Sequence, residues 1–241
     1  MSREVYHSEH YQTLEDVHQY RKVADVKYLL MSAEQEMKKA GYTPIQVNTY
    51  SAFFSLQFLT AGRLSEVYDT KLKHIYVKKE AGQWFLFVLM PNRKSRKSKK
   101  KISLIWIENP VERIFVNRVI SYIKYRYNIL EIPKSQHTKV MKKKLPEVEP
   151  IIGEEPLFLN PTPKVHKKLY RMALTKQYNQ FFKINTHFVR SLRASILVNQ
   201  YNFTPKELQK FMGHTNIVSS EPYINLDINK IKYKLVSANV I

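Results

Sequence analysis

The chain has 241 residues, 44% of them hydrophobic, and sets 40 lysines and arginines against 20 acidic residues, a formal net charge of +20. That length can bury a sizeable core, no run of about 18 apolar residues offers a membrane span, and the polar start MSREVYHSEHYQTLEDVHQY lacks a secretory apolar stretch. The absence of cysteine excludes disulfides and thiolate metal sites and fits an intracellular protein, and no glycine-rich nucleotide loop is present.

A positive excess of this size repels itself unless a polyanion is close. It points to nucleic acid ahead of a ribosome, a membrane surface or a generally basic solvated exterior.

In chain order, residues 14–40 carry Val17, Tyr20, Val23, Val26, Leu29 and Leu30 at spacings of three and four, which predicts an amphipathic helix that GYTP breaks. Residues 45–62 are apolar nearly all round, so a second helix is expected at the centre of the core, stopping at Ala61-Gly62. We assign Val17, Leu29, Phe53, Phe54 and Leu56 to that core. A short helical segment, RLSEVYDT, follows. Three strands are expected at 74–78, 83–90 and 101–107, the first pair turning at Ala81-Gly82 and the second across a very basic connection.

Residues 110–128 return to helical spacing behind a proline. Residues 133–150, with three prolines and KVMKKK, read as an exposed linker or loop, and 161–182 as another basic helix. Then comes THFVRSLRASILVNQYN, with Thr186 as the expected N-cap. The last clear helix is TPKELQKFMGH, with Thr204 at the N-cap, Pro205 at the first helical position, Glu207 completing a capping box and Gly213 as terminator. The fold class expected is α+β, mostly helical, with a small three-stranded antiparallel sheet.

Two features carry chemistry. His187 and Arg190 stand three apart at the start of a helix and share a face, where first-turn amides favour a phosphate. After the Gly213-His214 pair, Tyr223 arrives nine residues beyond the histidine, in a segment with little apolar periodicity to bury it. Taken singly, His187 reads as a helix-start residue, His214 as a helix-dipole partner, Arg63 as the surface partner of Glu66, and Arg190 and Arg193 as solvated helix charges.

Jointly these residues resemble the active-site half of the tyrosine recombinases, the phage-integrase family. That pattern runs H-x-x-R, then a helix ending in G-H, then a tyrosine nine residues on; FLTAGRLSEVYDTKL is similar to its first arginine box, with Arg63 and Glu66 on the defining positions. The hairpin KSRKSKKKISL resembles the family's lysine-bearing hairpin and places Lys94 on the catalytic lysine, while a slip in that basic run would nominate Lys97 or Lys99. Arg193 stands where the family more often has an aromatic.

The resemblance implies a tyrosine-recombinase-like catalytic domain in which Arg63 and Arg190 stabilise a pentacoordinate phosphate and Tyr223 is the nucleophile. Lys94 would protonate the leaving oxygen, His187 assist the tyrosine, His214 bond a phosphate oxygen, and Glu66 support the site. It implies strand exchange without ATP, metal or any other cofactor, on double-stranded DNA as partner. Arg93, Arg96, Lys97, Lys99, Lys100, Lys101, Lys167 and Lys168 are read as DNA-backbone contacts, and KVMKKKL and KVHKKLYR more broadly as backbone contacts or solvated faces.

The expected organisation is one catalytic domain over 1–241, with 1–13 as an N-terminal extension, no separate core-binding domain, and a tail, 224–241, that the resemblance implies docks on a neighbouring subunit of a tetramer. A mobile element, viral or plasmid-borne, is the implied origin. A type IB topoisomerase-like relaxing enzyme and a non-catalytic DNA-binding regulator stay open as alternatives.

Overall fold

The computed structural model describes residues 22–91, 100–144, 152–162 and 167–213. Val17, Tyr20, Arg93, Lys94, Arg96, Lys97, Lys99, His214 and Tyr223, together with the extension at 1–13 and the tail at 224–241, lie outside the described residues.

Helix α1 (Val23–Lys39) turns one apolar face inward, burying Val23, Val26, Leu30, Ala33 and Met37; Leu29 is only partly buried against that core. Helix α2 (Pro44–Thr60) is apolar all round because it is enclosed all round, with every residue from Thr49 to Thr60 buried. Thr43 opens it with a capping box, its side chain accepting from the Gln46 amide while Gln46 accepts from the Thr43 amide. Where a threonine falls inside this dry helix, its hydroxyl turns back onto the preceding turn: Thr49 donates to the Ile45 carbonyl and Thr60 to that of Leu56.

The short helix α3 (Leu64–Tyr68) and a 3-10 turn (Leu72–His74) lead into an antiparallel sheet in the order β1-β2-β3, with strands β1 (Ile75–Glu80), β2 (Gln83–Pro91) and β3 (Lys100–Trp106). Ala81 and Gly82 both adopt left-handed backbone (φ 47° and 82°), the geometry a two-residue hairpin needs to match strand twist. The β2–β3 ladder runs from Phe85↔Trp106 to Pro91↔Lys100, so Lys100 and Lys101 open β3. All three strands sit within a residue or two of expectation.

Helix α4 (Arg113–Ile129) lies along α2, with Phe115 against Phe58 at a ring separation of 4.7 Å. The segment expected as an exposed linker at 133–150 is corrected in part. Residues 134–141 form a 3-10 turn and helix α5 (His137–Met141), which packs on β1 and buries His137, Val140 and Met141. His137 Nε2 bonds the Ile132 carbonyl, and Lys142 and Lys143 lie over the rings of Trp84 and Tyr76 at 4.0 and 4.6 Å. Three buried side chains suffice to dock five residues, too few to produce a readable period.

The basic helix expected over 161–182 is also shorter than its sequence suggests. Residues 156–162 and 167–169 contribute isolated bridges, Lys71↔Pro156 and Leu159↔Lys168, and bury Leu157, Phe158, Leu159 and Leu169. Pro161 opposes helix at the start of that stretch. Helix α6 (Arg171–Gln177) continues as one wide π turn (Tyr178–Phe182) that drives Tyr178, Phe181 and Phe182 into the core, Phe182 stacking on Phe54 at 4.4 Å. Helices α7 (Phe188–Asn199) and α8 (Pro205–Met212) complete the described chain.

Two arginines of α4 act as structural ties, Arg126 from a buried position and Arg118 from a partly exposed one. Arg126, wholly inaccessible, donates to Glu155 (3.0 Å) and to the Pro156 carbonyl (3.1 Å), pinning the 152–162 segment on α4. Arg118 forms a bidentate pair with Glu34, joining α4 to α1.

Candidate active site

The site begins where α2 ends. Ala61 takes a left-handed conformation at the C-cap, and Gly62 follows in a space without room for a side chain: a Cβ there would stand 2.6 Å from Val67 Cγ2 and 3.1 Å from Met90 Sδ. This close approach, more than any unusual torsion, requires glycine in the stretch TAGR. Arg63 emerges in extended backbone. Its amide donates to Glu66 Oε2 at 2.8 Å, and its guanidinium Nη1 to Oε1 at 2.6 Å. Glu66 is 1% exposed, so the pair is an internal tie that aims Arg63 and not a surface contact between solvated charges.

The second half comes from α7. Thr186 is not the cap: Asn185 Oδ1 accepts from the amides of His187 (3.0 Å) and Phe188 (2.9 Å), because a side chain two residues before the turn reaches both. Gln57, fully buried on α2, donates from Nε2 to the Thr186 carbonyl at 2.8 Å and accepts from the Tyr178 hydroxyl at 2.7 Å. One amide thereby binds the end of α2, the π turn and the start of α7 into a single frame.

On that frame Arg190 is 2% exposed and bonds the Ala61 carbonyl, while its Nη2 donates to the Met212 carbonyl at 2.7 Å. Both acceptors are end carbonyls of helices, groups that lack an intrahelical donor and carry the negative end of the dipole. Desolvating a guanidinium costs several kcal/mol, and these charge-assisted bonds offset that cost.

Gln57, Arg63, Leu64, Ser65, Arg171, Thr186, His187 and Arg190 together enclose a cleft of about 200 Å³. The structure therefore brings Arg63, His187 and Arg190 to one place although 127 residues separate the two arginines. It adds Arg171 and Gln57, which no motif singled out; Arg171 closes a basic run that looked like generic backbone contact. The cleft suits an oxyanion: three arginines line it, and the Glu66 carboxylate is bonded to Arg63.

Arg193, read as a solvated helix charge, is buried instead. It pairs with Glu112, and its guanidinium lies 5.1 Å from the Phe58 ring centre and under 6 Å from those of Tyr201 and Phe211. The Tyr201 hydroxyl donates to Glu112 at 2.9 Å; burial, and then the Glu112 charge, push its pKa above the ordinary phenol value, which keeps that proton in place at neutral pH. This network locks α7 and α8 to the start of α4. Arginine does there what an aromatic side chain would do by packing alone.

Helix α8 has the expected cap. Thr204 Oγ1 accepts from the Glu207 amide, Glu207 accepts from Thr204, and Gly213 closes the helix at φ 66°. Gly213 is the last described residue, and Arg190 holds the carbonyl just before it.

Among the proposed DNA contacts, Lys167 is exposed, while Lys168 is held within the fold, paired with Asp69 at 2.9 Å and seated 3.9 Å over the Tyr68 ring. Among the described residues no cluster of metal-ligating side chains occurs and no helix is long and apolar enough to cross a membrane.

No family model and no curated protein sequence matches this chain. Solved structures do. The chain is similar to the XerH site-specific recombinase bound to palindromic difH substrate in a post-cleavage complex, with a TM-score of 0.56 and 15% identity over 86% of this chain and 51% of that one. A pre-cleavage XerH–difH complex matches at TM-score 0.55 and 15% identity, over 86% of this chain and 52% of that one. The XerA recombinase matches at 0.54 and 12%, over 88% and 62%. The chain thus spans about half of the XerH chains. The likeness establishes the fold, a mostly helical domain with a three-stranded antiparallel sheet similar to the catalytic domains of tyrosine recombinases.

Proposed function

We propose that this protein is a site-specific DNA recombinase that cuts and rejoins duplex DNA through a 3′-phosphotyrosyl intermediate. The observation that carries this reading is the cleft shared by Arg63, His187 and Arg190, in a domain whose fold is that of recombinases.

A phosphodiester resists attack because it is already an anion, and the pentacoordinate transition state gathers further charge on its non-bridging oxygens. Arginine forks fixed in advance stabilise that charge without reorganising. Arg63 is aimed by Glu66, and Arg190 by two helix ends.

In the proposed step the Tyr223 oxygen bonds to phosphorus as the bond to the 5′ oxygen breaks. The phenolic proton leaves with help from His187, and Lys94 delivers a proton to the departing 5′ oxygen. His214 bonds a phosphate oxygen. The phosphotyrosyl ester keeps the energy of the broken linkage, so a 5′ hydroxyl from another strand reverses the step without ATP or metal. The net charge of +20 and the basic run at 93–101 supply sequence-independent attraction to the duplex. We further propose that the protein acts inside the cell, as a tetramer assembled on paired sites.

The test is covalent trapping. Wild type and Tyr223→Phe are incubated with nicked duplexes carrying candidate sites. An adduct that survives denaturation in wild type and vanishes in the variant, with binding retained, is the expected result. Binding without any adduct would overturn the catalytic reading in favour of a DNA-binding regulator, and relaxation of supercoiled plasmid without strand exchange would favour a topoisomerase.

A further inference from the structure

We propose that Arg171 is an additional phosphate-binding residue of this cleft, a third guanidinium that grips the DNA backbone beside the phosphate held by Arg63 and Arg190. The proposal rests on the DNA-binding reading above. Position 171 belongs to none of the motif elements, neither the arginine box, the hairpin lysine, H-x-x-R nor G-H with its tyrosine.

Three observations support it. First, Arg171 lines the same cleft as Arg63, His187 and Arg190. Second, the other two guanidinium groups have structural commitments, Arg63 to Glu66 and Arg190 to the Ala61 and Met212 carbonyls. Arg171 is exposed, and among the described residues no carboxylate pairs with it. Three arginines around a space of about 200 Å³ concentrate positive charge, with the Glu66 carboxylate bonded to Arg63. A bound phosphodiester offsets that charge, and guanidinium is the group whose fork fits phosphate oxygens.

Third, Arg171 stands on a rigid support. Its helix is held by the buried Leu174, by Gln177 Nε2 donating to the Tyr42 hydroxyl at 3.1 Å, and by Tyr178 donating to Gln57. Gln57 is the same side chain that holds the Thr186 carbonyl beside His187. Arg171 and His187 are therefore mounted on one hydrogen-bonded frame, so the base of the third cation keeps its place relative to the other site residues.

The experiment is a salt titration of duplex binding with wild type, Arg171→Ala, Arg171→Lys and, as a charge-matched control, Lys124→Ala on the exposed face of α4. Each phosphate contact contributes about 0.9 to the slope of log K against log salt. Arg171→Ala is expected to lower the slope by about 0.9 and to weaken binding roughly eightfold at about 0.1 M salt, equally on different sequences, with Arg171→Lys keeping most of the slope. Lys124→Ala should leave the slope as it is. A slope unchanged in Arg171→Ala, or lowered equally by Lys124→Ala, would overturn the proposal while leaving the recombinase reading intact. Failure of wild type to bind any duplex would overturn both.

Discussion

The guanidinium of Arg190 donates to the carbonyl of Met212 at 2.7 Å, and through it α7 holds the last residue of α8 one step before Gly213. The same side chain bonds Ala61 at the end of α2. Arg190 is thus a structural clasp as well as a candidate phosphate ligand. Replacement by alanine removes the donor from two helix-end carbonyls and opens a cavity. We expect a loss of roughly 2–4 kcal/mol in urea unfolding, and a loss below about 0.5 kcal/mol would show that the clasp is dispensable.

Arg63 and Glu66 should be coupled. With Glu66 1% exposed, Arg63→Ala leaves a buried carboxylate with its backbone partner alone. A double-mutant cycle with Glu66→Gln should give a coupling energy of about 1–3 kcal/mol at neutral pH. Additive losses would mean that Glu66 does not hold Arg63 in solution.

Gly62→Ala is expected to destabilise by about 1–3 kcal/mol, because its Cβ would stand 2.6 Å from Val67 Cγ2, on a side chain that is itself fully buried. Val67→Ala in the same background should restore part of the loss. No restoration would place the strain elsewhere.

The cap of α8 should be acid-sensitive. Bonds from the Thr204 amide and hydroxyl hold the Glu207 carboxyl below the usual carboxylate range. Its contribution is therefore fully present above the ordinary carboxylate value and is lost as pH falls through the lowered one. Thr204→Ala should cost about 1 kcal/mol at neutral pH and less in acid, read by thermal unfolding at both conditions. An equal cost at the two pH values would count against this account.

A second titration tests the segment at 152–156. Hydrogen bonds from Lys71 and Lys73 lower the Glu154 carboxyl to about 2. Carbon-detected NMR should find that midpoint in dilute buffer and see it rise toward the ordinary value in about 1 M salt, since exposed ion pairs are screened.

Features set by neighbours along the chain were legible without a structure. The capping box from Thr204 to Gly213, the Ala81-Gly82 turn, the placing of the three strands and the all-round burial of α2 each follow from local geometry and periodicity, and each appears within a residue or two of expectation. Glu66 three residues after Arg63 was legible for the same reason. What the sequence did not reveal depends on contacts between distant segments. Nothing local tells that Arg193 is buried on Phe58 or that residues 134–141 dock on β1. Nor does spacing show that Arg171 shares a cleft with Arg63 and Arg190. By itself the sequence determined most of the helices and strands and which residue types are available for phosphate chemistry. Only the tertiary structure decided which of the many cations converge, because convergence is fixed by side chains such as Gln57 that bond segments more than a hundred residues apart.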